Sequence, residues 1–227
     1  MHAAPLSHLT LTATATRPIR WPHYAGSALR GAFGTALHQS VCITGQEKCA
    51  GCQLQRSCAY SVVFDPLPAE QPLHPSFRDG LPAYVIHVPD LGERQLRAGE
   101  QIQWSLTLLP PALAHWQIVQ SSAHAVLERY FAGEGAFKTT ASTWQTHTLP
   151  DYTEQPLQAA PNSNHTCQIT LQFRTPLRIQ QQGSPIRNPA KLTLANLIRA
   201  AHRRHLQWCQ ISGSTPVAAQ TCMDAAA

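Results

Sequence analysis

Four cysteines fall within seventeen positions: Cys42, Cys49, Cys52 and Cys58, in the spacing C-x6-C-x2-C-x5-C. They follow directly on a Gly/Ala-rich helical pattern, so a compact loop must be built against the end of a helix. No basic, apolar, cleavable leader begins the sequence MHAAPLSHLT. The chain is therefore expected to be cytoplasmic, and its thiols are expected to be reduced rather than paired. The central C-x2-C can place two thiolates on one metal, and four thiolates complete a tetrahedral zinc shell. An iron–sulfur cluster would use the same ligands, and four free thiols in a loop are the plain alternative. A four-sulfur shell leaves no position for a catalytic water, so no catalytic metal is expected. Cys167, Cys209 and Cys222 are scattered and read as buried or idle thiols.

The charge pattern points to a partner. Of 227 residues, 17 are Lys or Arg and 12 are Asp or Glu, and only three of the basic residues are Lys. No acid precedes Glu47, and seven basic residues with no acid lie between Gln155 and Met223. Arg makes forked contacts with phosphate, so this asymmetry favours nucleic acid. No apolar run reaches the length of a membrane span, and no membrane partner is expected.

Along the chain, Leu6 to Thr16 alternates as a strand, and Arg20-Trp21-Pro22-His23-Tyr24 is a basic aromatic connector. Ala28 to Val41 has helical spacing, with Leu29, Phe33, Ala36 and Leu37 on one face and Arg30, Gly34 and His38 on a neighbouring one. Residues 64–82 read as loop, Ala83 to Val88 as a strand, residues 89–99 as loop, and Gln101 to Leu109 as a strand stopped by Pro110-Pro111. Ala112 to Phe131 reads as one helix and Ala136 to Leu149 as a last strand. The order β-α-β-β-α-β predicts an α+β, ferredoxin-like (RRM-like) domain over residues 1–150, carrying the four-cysteine insertion at 42–58. Residues 151–165 have linker composition. Residues 166–227 read as the start of a second, incomplete ferredoxin-like unit: a strand from about Thr166, then a helix from Leu192 to about Trp208 with Leu194, Leu197, Ile198 and Ala201 packed inward. Trp21, Trp104 and Trp116 are assigned to the core.

Three segments suggest a family. Leu29-Arg30-Gly31-Ala32-Phe33-Gly34 with the cysteine block and Tyr60 to Phe64 is one. Leu171-Gln172-Phe173-Arg174-Thr175-Pro176-Leu177-Arg178 is another, and the Gly133 to Phe137 segment is the third. Together they resemble the CRISPR-associated endoribonucleases that process precursor CRISPR RNA, the sixth Cas family within the RAMP superfamily. That family has two complete ferredoxin-like halves, and a short second half fits a divergent system such as type IV. The resemblance implies metal-independent RNA cleavage, in which the 2′-hydroxyl attacks the adjacent phosphate to give a 2′,3′-cyclic phosphate and a 5′-hydroxyl. It also implies retention of the product stem-loop within a complex of Cas subunits.

Such chemistry needs a base, an acid and positive charge on the phosphorane. His38 is the first candidate for acid or base; a capping role at the helix end is the alternative. Arg30 could stabilise the phosphorane or anchor the helix. Arg20, His23 and Tyr24, on the connector, could reach the same region or pack as loop. Lys138, Arg174, Arg178, Arg187, Lys191, Arg199, Arg203 and Arg204 form the candidate RNA footprint. Two other functions are weighed against the nuclease: a non-catalytic RNA-binding subunit of the same superfamily, and a zinc-stabilised DNA-binding regulator, which the element order disfavours.

Overall fold

The computed structural model describes residues 5–46, 48–74, 77, 80–89, 92–148, 170–173, 179–181 and 184–214. The architecture is mixed α+β, built on a four-stranded antiparallel sheet backed by helices. Its strands are β1 (Pro5–Ala15), β3 (Tyr84–His87), β5 (Gln101–Leu108) and β6 (Phe137–Thr148), in the spatial order β3-β5-β1-β6. The helix α1 (Gly26–Val41) joins β1 to β3, and a helical segment joins β5 to β6. The succession of sheet strands and helices fits the expected β-α-β-β-α-β pattern.

Strict alternation sets the register. Leu9, Leu11 and Ala13 of β1 stand opposite Leu106, Trp104 and Ile102 of β5, and all six are buried. A one-residue slip would turn every one of them to the other face. Above this face lie Leu29, Phe33, Ala36 and Leu37 of α1, at the spacing that makes one stripe, with Val119, Ala123, Val126 and Leu127 from the second helical segment.

Several elements differ from expectation. Ile19–Trp21 forms a short strand, β2, paired with β4 (Arg94–Leu96), where connector and loop were expected. Three residues are too few for a periodicity to register, but Ile19, Trp21 and Leu96 are buried by it. Ala59–Val63 forms the helix α2 within the segment following the cysteines. The expected helix 112–131 is broken into α3 (Pro110–Leu113), α4 (Trp116–Ala125) and a wider π turn at Val126–Tyr130. Pro110 and Pro111 start a helical turn rather than only stopping the strand, since the first turn needs no amide donors. His115, at φ −108° and ψ 16°, separates that turn from α4. Trp21 and Trp104 are core, but Trp116 is 45% exposed and meets Trp144 edge-on.

The predicted linker at 151–165 lies outside the described residues, as do Cys167, Cys222, Arg174 and Arg178. Residues 170–173 of the predicted second-unit strand are exposed and belong to no strand. A two-residue hairpin follows, β7 (Gln180–Gln181) with β8 (Ser184–Pro185). The last helix, α5, runs Leu194–Ser212, two residues shifted at its start and longer at its end than predicted. A Thr193/Asn196 capping box starts it and Gly213, at φ 71°, ends it. Its buried residues are Asn196, Leu206 and Cys209, while Leu194 and Ala201 are exposed. The helix meets Leu73 and Phe77: the Gln210 side chain accepts from the Leu73 amide at 2.7 Å, and Arg203 lies 5.9 Å over the Phe77 ring. This docking sets a helical phase that the apolar pattern alone did not. Among the described residues no helix is long and apolar enough to cross a membrane.

Candidate functional site

The stripe Arg30, Gly34, His38 is a packing seam. Tyr60 of α2 and Phe64, just past its end, lie against it. The Tyr60 and Phe64 rings stack at 5.3 Å, and Phe64 stacks on Tyr84 at 5.7 Å. A Cβ on Gly34 would come within 2.4 Å of the Phe64 ring, so only glycine admits this approach. At one end of the seam the Arg30 guanidinium sits 5.2 Å over Phe64, and its Nε donates to the Tyr84 hydroxyl at 3.3 Å. At the other end His38 meets the edge of Tyr60 at 4.9 Å. Burial pushes the Tyr60 and Tyr84 phenols above their ordinary range, with Arg30 opposing the shift at both. Both rings thus remain protonated donors near neutrality.

His38 is half-buried in the last turn of α1. Its Nε2 is shielded from solvent and has no hydrogen-bond partner among the described residues. The side chain borders a cavity of about 30 Å³ that is also lined by Cys42, Cys49, Cys52 and Cys58. The cysteine loop is assembled by turns. The Cys52 amide donates to the Cys49 carbonyl at 3.0 Å, and Gly51 within C-x2-C takes φ 82°. The hydroxyl of Thr44 lies 3.6 Å from the Cys42 sulfur. That contact, with the backbone amides of Gly45, Thr44 and Gln46, holds the Cys42 thiol below its ordinary pKa. Burial pushes the Cys49 thiol up, and the charges of Cys58, Asp65, Cys42 and Cys52 add to the rise. These are the interactions of thiols gathered around one space, and the donor chemistry suits zinc. Among the described residues no three His, Cys, Asp or Glu side chains are drawn close enough to hold an ion as they stand.

The connector residues lie elsewhere. Arg20, on β2, forms an ion pair with Glu93, and its Nε–Oε1 distance is 3.0 Å. This hydrogen bond and the opposite charge raise the Arg20 pKa and lower that of Glu93. Exposed His23 contributes a further lowering at Glu93. Tyr24 folds its ring over Gly26 at the start of α1. From Gly26 to His38 is about 18 Å of helix at about 1.5 Å per residue. Arg20, His23 and Tyr24 therefore gather at one end of α1 and His38 at the other, so they do not meet at a single phosphate. The loop 132–135 turns with Ala132 at φ 60°, and its carbonyl accepts from Arg17 at 2.8 Å.

Of the expected RNA footprint, Lys138 is exposed on the edge strand β6, opposite Thr14. Arg187, Lys191, Arg199, Arg203 and Arg204 are all exposed at or before α5. None of them is in an ion pair among the described residues; the pairs present are Arg20–Glu93 and Arg56–Glu70.

A histidine cluster on the outer face of the sheet was not anticipated. His8 of β1 and His87 of β3 both hydrogen-bond the Thr107 hydroxyl of β5, at 3.0 Å (Nδ1) and 2.9 Å (Nε2). Their rings meet edge to face at 5.5 Å. His8 is held below its ordinary pKa by partial burial, then by His87 and His147. The parity of the strands carries the signal: His8 alternates with Leu9 and Leu11, so it must face away from the core. Bringing His87 beside it needs the cross-strand register, which no local pattern supplies.

A family model described as AF_1859_N, an N-terminal domain, matches residues 4–161. No curated protein matches the chain.

Proposed function

This chain belongs to the AF_1859_N family of N-terminal domains, and we propose that it works as an endoribonuclease on precursor CRISPR RNA. In this reading it cuts within repeats by 2′-hydroxyl transesterification, without a catalytic metal, and keeps the product stem-loop within a complex of Cas subunits. The observation that carries the reading is the exposure of the basic side chains Arg187, Lys191, Arg199, Arg203 and Arg204, free of carboxylate partners among the described residues. Unneutralised guanidinium groups gain most from phosphate, by forked hydrogen bonds and counterion release. The α+β sheet, with one face turned to solvent, adds a surface of the kind on which single-stranded RNA is laid.

The four cysteines take a structural zinc in this reading. Cys42, Cys49, Cys52 and Cys58 would hold it, and it would cross-link the loop to the end of α1. The ion supplies no step of the reaction.

A second reading, a non-catalytic RNA-binding subunit of the same kind of complex, is favoured by the separation of His38 from Arg20, His23 and Tyr24 and by the shielding of His38 Nε2. One assay separates the two. Repeat-derived stem-loop RNA is incubated with the protein in EDTA, beside the same RNA carrying a 2′-deoxy nucleotide at the cut site. Cutting of the all-ribose RNA alone supports the nuclease. Tight binding without cutting supports the subunit, and equal affinity for unrelated duplex DNA opposes both.

A further inference from the structure

The solvent face of the sheet carries hydrogen-bonding side chains and almost no charge. Thr10, Thr12 and Thr14 of β1, Gln103, Ser105 and Thr107 of β5, and Thr143 and Gln145 of β6 share the parity of His8. Within this neutral surface two imidazoles are fixed on one hydroxyl. Each uses one ring nitrogen on Thr107, Nδ1 of His8 and Nε2 of His87, and among the described residues the opposite nitrogen of each ring makes no hydrogen bond, which leaves it for a ligand. A hydroxyl donates one hydrogen bond and accepts others, so it can link a neutral ring to a protonated one.

We propose that His8 and His87 are a proton-transfer pair for cleavage of a phosphodiester laid across this face, with Thr107 as the positioning residue between them. The inference rests on the RNA-cleavage reading above and moves its chemistry from His38 to the sheet. The unprotonated imidazole takes the 2′-hydroxyl proton as the 2′-oxygen bonds to phosphorus. The P–O5′ bond breaks, and the departing O5′ takes the proton of the partner imidazolium. The products are a 2′,3′-cyclic phosphate and a 5′-hydroxyl, and the pair ends with its protons exchanged. Transfer through Thr107 or water resets it.

Both rings are held alike on Thr107, and partial burial with the neighbouring His87 and His147 lowers the basicity of His8, which supports the base role there. The titratable groups that face it are His87 on β3 and His147 on β6. The residues of β5 on this face, Gln101, Gln103, Ser105 and Thr107, do not titrate. Lys138 stands near the opposite end of β6, beside Thr14. His38 competes poorly for the role because its Nε2 has no access to solvent.

The test uses the full chain and a stem-loop RNA in EDTA, with cleavage rate and RNA affinity measured separately. His8→Gln and His87→Gln are each expected to slow cleavage about a hundredfold or more while affinity stays within about threefold. Loss of His8 removes the acidic limb of the rate–pH profile. Thr107→Val is expected to slow cleavage and shift that limb, a change that a purely structural contact would not produce. His147→Gln is expected to move the acidic limb upward. Circular dichroism confirms that each variant is folded. If His8→Gln and His87→Gln both cut within about threefold of the wild-type rate, the pair is overturned and the nuclease reading stands. If the wild-type chain cuts no RNA, both fall together.

Discussion

Phe64 lies against the backbone of α1 at Gly34, where a single added Cβ would approach the ring to 2.4 Å. This contact locks the segment following the cysteines onto the first helix, and it explains why a glycine sits in the interior of that helix. Gly34→Ala gains about 0.8–1 kcal/mol of helix propensity but forces the ring out of its place, a cost of about 1–3 kcal/mol. Net destabilisation of about 0–2 kcal/mol is expected in urea unfolding. Phe64→Ala in the same chain should relieve the clash, so the double variant should be less destabilised than the sum of the two singles. Strict additivity would mean that the ring and the helix do not meet.

The zinc proposal is tested by metal content. The purified protein should carry about one zinc per chain, and Cys52→Ser should lose it. Chelation should lower Tm by on the order of 5 °C or more, because a metal that binds only the folded loop stabilises it. A metal-free protein whose Tm ignores both zinc and chelator would leave the four thiols as an ordinary loop.

If α5 carries phosphate contacts, Arg199→Ala with Arg203→Ala should weaken stem-loop RNA binding and flatten its salt dependence by about 1–2 in the log–log slope. Arg203 also covers Phe77, so its removal should cost a small part of stability, about 0.5–1 kcal/mol. Fluorescence anisotropy across a salt series reads the first effect and urea unfolding the second. An unchanged slope would place the RNA elsewhere.

Histidine coupling on the sheet should be visible in stability alone. The folded-state pKa of His8 is lowered from 6.5, first by burial and then by His87 and His147. The unfolded chain therefore binds the proton first. The contribution is fully present above about pH 6.5 and is lost as the pH falls from there through the lower folded value. Urea unfolding from pH 7.5 to 5 should show this decline, and His8→Gln should flatten it. A slope unchanged by that substitution would mean the cluster is not coupled to folding.

Much of the scaffold was legible in the residues because its signals are local. The alternation of Leu9, Leu11 and Ala13 and of Ile102, Trp104, Leu106 and Leu108 places two strands, and Leu29, Phe33, Ala36 and Leu37 place α1. The site was less legible because its contacts are distant in sequence. Arg30, Gly34 and His38 do share a helical face, but nothing local tells a solvent face from a seam until Tyr60 and Phe64 are packed on it. Leu194 and Ala201 failed as packed positions for the same reason: contacts distant in sequence, such as those of Leu73 and Phe77 with Gln210 and Arg203, bear on which side of α5 is covered. His8 and His87 lie on strands that are not neighbours, and only Thr107 on the strand between brings them together.

End-group analysis of cleaved RNA tests the proposed chemistry most directly. Stem-loop RNA is treated with the protein in EDTA, and the fragments are weighed by mass spectrometry. A 2′,3′-cyclic phosphate on the upstream fragment and a 5′-hydroxyl on the downstream one are expected. A 3′-hydroxyl with a 5′-phosphate, or RNA that binds tightly and stays intact, would contradict it.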